Sequence, residues 1–206
     1  MLELVKKQQG IVGGTDREHH RYFSEFYQHQ FKKYQDQPIT LLEIGSAYGG
    51  GLMIWHEYFS QAKIIGAELR DHTPEGKLKW KNSDPNFRDY PEVFLPNLDD
   101  YPRMQAFNGY DAYQKSFANN LPALDIVIDD GWHSWDQWQI LYELYLPKIR
   151  PGGMLIIEDI SDHPIRSPQG WSIEQLIEPI RHLRHQVFDF RPLTGKDDSR
   201  ILAIWC

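Results

Sequence analysis

The chain predicts an α/β domain built on a mainly parallel, seven-stranded sheet with helices on both faces. Seven short apolar, β-branched runs are bounded by turn residues. Helix-length segments separate most of these runs, and such alternation requires crossover connections that lay helices over both faces of a parallel sheet. The length of 206 residues suits one domain with a full core, here taken as residues 1–206.

In chain order, residues 1–37 read as an N-terminal helical segment, whose aromatic and polar stretch Tyr22 to Tyr34 forms one or more helices ahead of the sheet. The strands are expected at Ile39 to Ile44, Lys63 to Leu69, Arg103 to Phe107, Leu124 to Asp129, Gly153 to Glu158, Gln186 to Phe190 and Arg200 to Trp205. Helices are expected at Gly50 to Phe59, where Leu52, Trp55 and Phe59 recur at helical spacing, and at Asp111 to Asn119, Ser134 to Leu146 and Ser172 to Arg184. Pro151-Gly152-Gly153 reads as the turn between a helix and the fifth strand. Arg70 to Tyr101 breaks the rhythm, and the whole of 70–102 is read as an insertion that serves as a lid or an acceptor-binding region.

Composition excludes several classes. Hydrophobic content of 41% and charged content of 25% are those of a globular protein. A net charge of -7 argues against a nucleic-acid surface, which needs a basic stripe. The lone cysteine, Cys206, permits neither a disulfide framework nor a cysteine metal site. Met1 to Lys7 has no apolar signal core and no apolar run is long enough to span a bilayer, so a cytoplasmic protein without a membrane partner is expected. A homo-oligomer is compatible with this sequence.

Chemistry concentrates at strand ends. The run Leu124 to Asp129 leads into Asp130-Gly131-Trp132-His133, and Gly153 to Ile157 leads into Glu158-Asp159. In a parallel sheet ligands bind outside the carboxyl ends of the strands, so four carboxylates converge there. Crowded like charges raise one another's pKa unless a cation neutralises them, which points to a hard divalent metal on oxygen ligands. The competing reading, acids capping the following helices, accounts for one acid per strand but not for two pairs.

The first strand opens into Glu43-Ile44-Gly45-Ser46-Ala47-Tyr48-Gly49-Gly50-Gly51. The glycines allow a tight turn and leave room for a nucleotide-like ligand, but Ala47 stands where a dinucleotide fingerprint needs glycine, and no Gly-Lys-Ser/Thr P-loop is present. Glu68, at the end of the second strand, is placed to accept both hydroxyls of a ribose, and Asp111, after the third, to reach an adenine amino group. Together they outline an adenosine pocket.

These motifs resemble class I S-adenosylmethionine-dependent methyltransferases with a Rossmann-like fold. More narrowly, Leu41 to Asp71, Asp125 to Gln137 and Pro151 to Asp159 are similar to the metal-dependent sugar O-methyltransferases of the macrocin/mycinamicin group, which also resembles the cephalosporin hydroxylase-like proteins. Gly14-Thr15-Asp16-Arg17, His20 and Tyr22 approximate that group's N-terminal G-T-D-K segment. The chain departs from the pattern at Gly51 for serine, Arg17 for lysine and Trp132 for the serine beside the histidine.

The resemblance implies an enzyme that methylates a hydroxyl of a sugar or glycosylated natural product, with S-adenosyl-L-methionine and Mg²⁺ or Mn²⁺ as cofactors. It implies His133 and Asp130 as catalytic residues, His133 being the general base. Asp130, Glu158 and Asp159 become the metal ligands, with Asp129 an alternative to Glu158. Glu43, Gly45, Ser46, Tyr48, Gly49, Gly50, Glu68, Asp111 and Asp129 become the cofactor-binding set. Trp132 is placed against the acceptor, since flat apolar faces stack on sugar rings. Two other readings stay open: a metal-dependent hydroxylase-like enzyme, and a non-catalytic S-adenosylmethionine-binding module on the same fold.

Overall fold

A computed structural model describes Glu3 and residues 15–70, 98–162 and 172–206. Seven strands form one sheet: β1 (Thr40–Ile44), β2 (Lys63–Glu68), β3 (Met104–Asn108), β4 (Leu124–Asp129), β5 (Ile149–Ile157), β6 (Arg184–Asp189) and β7 (Arg200–Trp205). Their spatial order is β3-β2-β1-β4-β5-β7-β6. The pairings from β3 through β5 are parallel, and β7 runs antiparallel to both of its neighbours. The expected mainly parallel sheet is thus observed. Its chain order reverses beside β1 and β4, where the carboxyl ends leave a crevice for a ligand.

Two apolar layers cover the sheet. On one face, α1 (Gly50–Tyr58) packs with the N-terminal segment, and on the other lie α2 (Lys115–Asn119), α3 (Trp135–Tyr145) and α4 (Ile173–Ile177). Helix α3 forms because Trp135, Trp138, Leu141, Tyr142 and Tyr145 fall on one buried stripe, spaced as an amphipathic helix requires. Ser172 and Gln175 start α4 with a reciprocal capping box.

The N-terminal segment is a chain of short helical turns, Arg17–His20, Phe23–Tyr27, Gln28–Gln30 and Lys32–Tyr34, of which Phe23–Tyr27 is a π-helical turn. Its aromatic residues converge on Trp55 of α1, whose ring lies 5.5 Å from Phe23, 5.0 Å from Tyr27 and 5.5 Å from Phe31. All four side chains are fully buried. This stack fixes the N-terminal segment against the sheet end that carries the acids.

The structure corrects the expected element bounds at three places. Pro151-Gly152-Gly153 is no turn before a strand: β5 begins at Ile149, and a bulge carries it through the three residues. Between one pair of aligned partners and the next, β4 advances from Leu124 to Ile126 while β5 advances from Ile149 to Met154. Gly152 at φ +86° makes that bulge possible, a conformation in which glycine incurs no Cβ clash. The Asp111–Asn119 helix contracts to Lys115–Asn119 because the Asp111 carboxylate accepts from the Tyr113 amide at 2.9 Å, holding the chain in a turn. The last expected helix stops at Ile177, followed by a single 3₁₀ turn at Glu178–Ile180. His182, within the expected helix, therefore sits in a turn. Residues 71–97 of the proposed insertion lie outside the described residues.

Replacing Trp55 with alanine removes the centre of the aromatic stack. The expected loss in unfolding free energy is about 3 to 5 kcal/mol by chemical denaturation. Ile140→Ala, at a residue 39% exposed, should change it by no more than about 0.5 kcal/mol. Equal effects from the two variants would refute the assignment of Trp55 to the core that anchors the N-terminal segment.

Candidate active site

Strand periodicity determines which acids meet. Successive side chains of a strand point to opposite faces. Leu41, Ile126, Ile128, Met154 and Ile156 pack into the layer that holds the N-terminal segment, whereas Leu42, Ile44, Val127, Leu155 and Ile157 pack into the other. Glu43, Asp130 and Glu158 continue the first set, so three adjacent strands deliver three carboxylates to one side of the sheet. Asp129 continues the second set. It is fully buried, accepts from the Tyr113 hydroxyl and the Gly131 amide, and has its carboxyl pushed up to about 6 by burial.

Arg17 occupies the space among the three acids. Its Nε donates to Glu158 at 2.8 and 2.9 Å, its Nη1 to Glu43 at 3.3 Å, and its Nη2 lies 2.8 Å from Asp130 Oδ2. The last contact is an ion pair without hydrogen-bond alignment. Burial opposes the guanidinium charge, but Glu158, Glu43 and Asp130 more than offset it, and Arg17 is a fixed cation. Glu43 also accepts from the Trp55 indole, and Glu158 from the Tyr27 hydroxyl. A Cβ at Gly51 would collide with Arg17 and Glu43. The missing side chain at Gly51 leaves the room that the Arg17 guanidinium occupies.

Above Arg17, carboxylate oxygens of Asp130 and Asp159 and a ring nitrogen of His133 lie within 4.8 Å of one another. His133 Nε2 is 3.7 Å from Asp130 Oδ1 and 3.8 Å from Asp159 Oδ2. Both His133 and Asp159 have φ +54°, which non-glycine residues seldom adopt and which concentrates at functional sites. Burial raises the Asp130 carboxyl above the usual carboxylate range, with Glu158, Asp159 and Glu43 adding to the rise and Arg17 opposing it. Glu158 is pushed up to about 8, again chiefly by burial. One arginine does not neutralise four carboxylates. The converging carboxylate oxygens of Asp130 and Asp159, with the His133 imidazole beside them and left-handed backbone at His133 and Asp159, fit a divalent cation. Of the expected ligands, the structure brings Asp130 and Asp159 together with His133, while the Glu158 carboxylate faces Arg17 and Tyr27.

Asp130 also borders a cavity of about 250 Å³ whose walls include Gly45, Ala47, Glu68, Asp111 and Trp132. The loop after β1 shapes it. Gly45, at φ +81°, approaches the Asp130 backbone so closely that a Cβ would strike its carbonyl, and Gly49, at φ +84°, turns the chain into α1. Glu68 closes the cavity's far side, its two oxygens accepting from the Ala47 and Arg70 amides at 2.8 and 2.9 Å. Gly45, Glu68 and Asp111 of the expected cofactor set thus line the cavity. Ser46 is buried within the turn, Tyr48, Gly49 and Gly50 lead from it into α1, and Glu43 and Asp129 lie behind the walls. Leu69, Tyr110 and Trp132, at 47%, 52% and 63% exposure, give the cavity an apolar rim. Trp135 and Trp138 are core.

The sequence alone assigns no site role to Arg17, Tyr27 or Tyr113, and it reads the stretch around His20 and Tyr22 as a polar helix, with one of the two at the edge of the cofactor pocket as the alternative. Tyr22 instead donates to Asp159 Oδ1 at 2.9 Å. Burial and the Asp159 charge keep that phenol protonated. The available signal was the five-residue spacing of Tyr22 and Tyr27, which the π-helical turn brings to one side.

No protein-family model matches the chain. Among curated proteins it is similar to the 8-demethyl-8-alpha-L-rhamnosyl tetracenomycin-C 2'-O-methyltransferase of Streptomyces olivaceus, 24% identical over 196 residues that cover 86% of this chain and 46% of that protein. The mycinamicin VI 2''-O-methyltransferase of Micromonospora griseorubida is 28% identical over 148 residues, covering 68% of this chain and 31% of its own length. The chain therefore spans less than half of either relative. Among solved structures, the MycE methyltransferase from the mycinamycin biosynthetic pathway, in complex with Mg, SAH and mycinamycin VI, superposes with a TM-score of 0.61 at 21% identity, over 89% of this chain and 48% of that one. The structure described as cmcI-D160 Mg-SAM gives 0.59 at 17% identity, over 87% and 69%. Strand order, the reversed β7 and these likenesses give the chain the class I methyltransferase fold, which it shares with the sugar O-methyltransferases it resembles in sequence.

Proposed function

We propose that the chain is an S-adenosylmethionine- and divalent-metal-dependent O-methyltransferase acting on a hydroxyl of a sugar or glycosylated natural product. One observation carries this reading: Asp130 belongs both to the wall of the nucleoside-sized cavity and to the Asp130, His133, Asp159 cluster, so donor and acceptor sites share a boundary. The relatives' activities, methylation of rhamnosyl tetracenomycin and of mycinamicin VI, support the same reaction class. When bound, S-adenosylmethionine would supply an electrophilic methyl group, and Mg²⁺ or Mn²⁺ on Asp130 and Asp159, with Glu158 behind them, would make the acceptor hydroxyl more acidic.

The protein's own groups then divide the work. Glu68, already oriented by two backbone amides, would receive the ribose hydroxyls, and Asp111, on the same cavity wall, would reach the adenine edge. Gly45 would admit the ligand close to the backbone, and the turn beyond it, closed by the Gly49 amide donating to the Ser46 carbonyl at 2.8 Å, leads through Tyr48 and Gly49 into Gly50 of α1. Trp132 offers an exposed flat face to the acceptor ring. His133 Nε2, 3.7 Å from Asp130 and 3.8 Å from Asp159, is placed to take the proton from the acceptor hydroxyl, whose oxygen would gain the methyl group as the donor departs as a neutral thioether.

Two outcomes are expected. By calorimetry the wild type binds S-adenosylhomocysteine and not NAD, and Glu68→Ala weakens that binding by about 10- to 100-fold through loss of a charged acceptor. NAD binding without a response to S-adenosylhomocysteine would overturn the cofactor assignment. With an α-L-rhamnoside as acceptor and labelled S-adenosylmethionine as donor, His133→Ala lowers the transfer rate by about 10²- to 10⁴-fold while the affinity for S-adenosylhomocysteine is kept. A folded variant with full turnover would remove His133 from the role of base.

A further inference from the structure

The two acids of the cluster are each held by one oxygen from the same direction. Asp130 Oδ2 lies 2.8 Å from Arg17 Nη2, and Asp159 Oδ1 accepts from the Tyr22 hydroxyl at 2.9 Å. The opposite oxygens, Asp130 Oδ1 and Asp159 Oδ2, are those that face His133. Both donors belong to the N-terminal segment, whose Phe23, Tyr27 and Phe31 are packed into the aromatic core around Trp55. The Tyr22 hydroxyl has a single proton and three acceptors within reach: Asp159 Oδ1, and the carbonyls of Asp198 at 3.1 Å and Arg200 at 3.4 Å. The carboxylate is the nearest of the three, so it accepts the hydroxyl's hydrogen bond. A carboxylate otherwise rotates about its terminal torsion, whose preference is broad. Tethering one oxygen to a neutral donor sets the direction of the other without reducing the negative charge offered to a cation. The tether acts at a residue whose backbone stands in the left-handed region, Asp159 at φ +54°.

We infer that Tyr22, with Arg17, is a positioning residue: the N-terminal segment aims Asp159 and Asp130 so that a divalent cation finds their inner oxygens already in place. This rests on the reading of Asp130 and Asp159 as cation ligands. Outer groups of this kind are worth about 10- to 100-fold in metal affinity.

Tyr34 provides a matched comparison. It lies on the same segment, is 6% exposed, and donates its hydroxyl to the Gly152 carbonyl at 2.7 Å, away from the acid cluster. Mn²⁺ alone, titrated into wild type, Tyr22→Phe and Tyr34→Phe and followed by electron paramagnetic resonance of the free ion, separates aim from packing. The expected result is a dissociation constant about 10- to 100-fold higher for Tyr22→Phe and unchanged for Tyr34→Phe, with both variants folded by circular dichroism. Wild-type affinity in Tyr22→Phe, or equal losses in the two variants, would overturn the positioning role and leave the metal site standing. A wild type that takes up no Mn²⁺ would sink the metal site and this inference together.

Discussion

The Arg17 guanidinium, 3% exposed, is shared among Glu43, Asp130 and Glu158, and the geometry of the site depends on it. Burying a carboxylate costs several kcal/mol unless a partner compensates, and removing one member of such a cluster typically destabilises by about 3 to 5 kcal/mol because the others are left unpaired. Three strands bring acids to one side of the sheet, so some cation has to be there for the fold to close. A covalently attached arginine satisfies the two deepest acids, Glu43 and Glu158, whose side chains are each 1% exposed. Asp130 and Asp159, at 21% and 17%, are the ones that face outward toward His133. The two more exposed acids therefore sit at the rim of the cluster, where a solvent-borne dication can reach them.

This arrangement links the core to the chemistry. Trp55 is both the centre of the aromatic stack and a donor to Glu43, and Tyr27 is both a core residue and a donor to Glu158. Arg17 lies over the Trp55 ring at 5.8 Å, which adds a cation–π attraction in a desolvated setting. Packing energy on this face thereby restrains the acids, and it helps hold His133 and Asp159 in backbone conformations that would each relax in an unconstrained chain. On the opposite face Asp129 has a different part: buried under α3 beside Tyr113, it stiffens the Gly131 turn that carries Asp130 and His133.

Much of this was legible in the sequence. The seven apolar runs and the helices between them specify the sheet, because period and length distinguish the elements without tertiary information. The strand-end acids and the Glu68 position were legible for the same reason, since parallel strands place their carboxyl ends together. The bulge at Pro151-Gly152-Gly153 was not, because the same residues terminate helices and interrupt strands, and only the pairing to β4 and β7 decides between them. The partition of the acids was also hidden. Glu158 and Asp159 are adjacent in sequence, yet one turns to Arg17 and the other to Tyr22, an outcome set by a left-handed residue and by a cation 141 positions away. Period two alone would have separated Asp129 from Asp130, so that division was available to a stricter reading of the pattern.

We read the outward acids as a seat for a divalent cation beside a methyl-donor pocket. Diffraction at the manganese edge from crystals grown with Mn²⁺ and S-adenosylhomocysteine examines that seat itself. The expected map has an anomalous peak within coordination distance of Asp130 and Asp159, with Arg17 still bonded to Glu43 and Glu158 and the nucleoside against Glu68. An anomalous map with S-adenosylhomocysteine in place but no peak between those two carboxylates would contradict it.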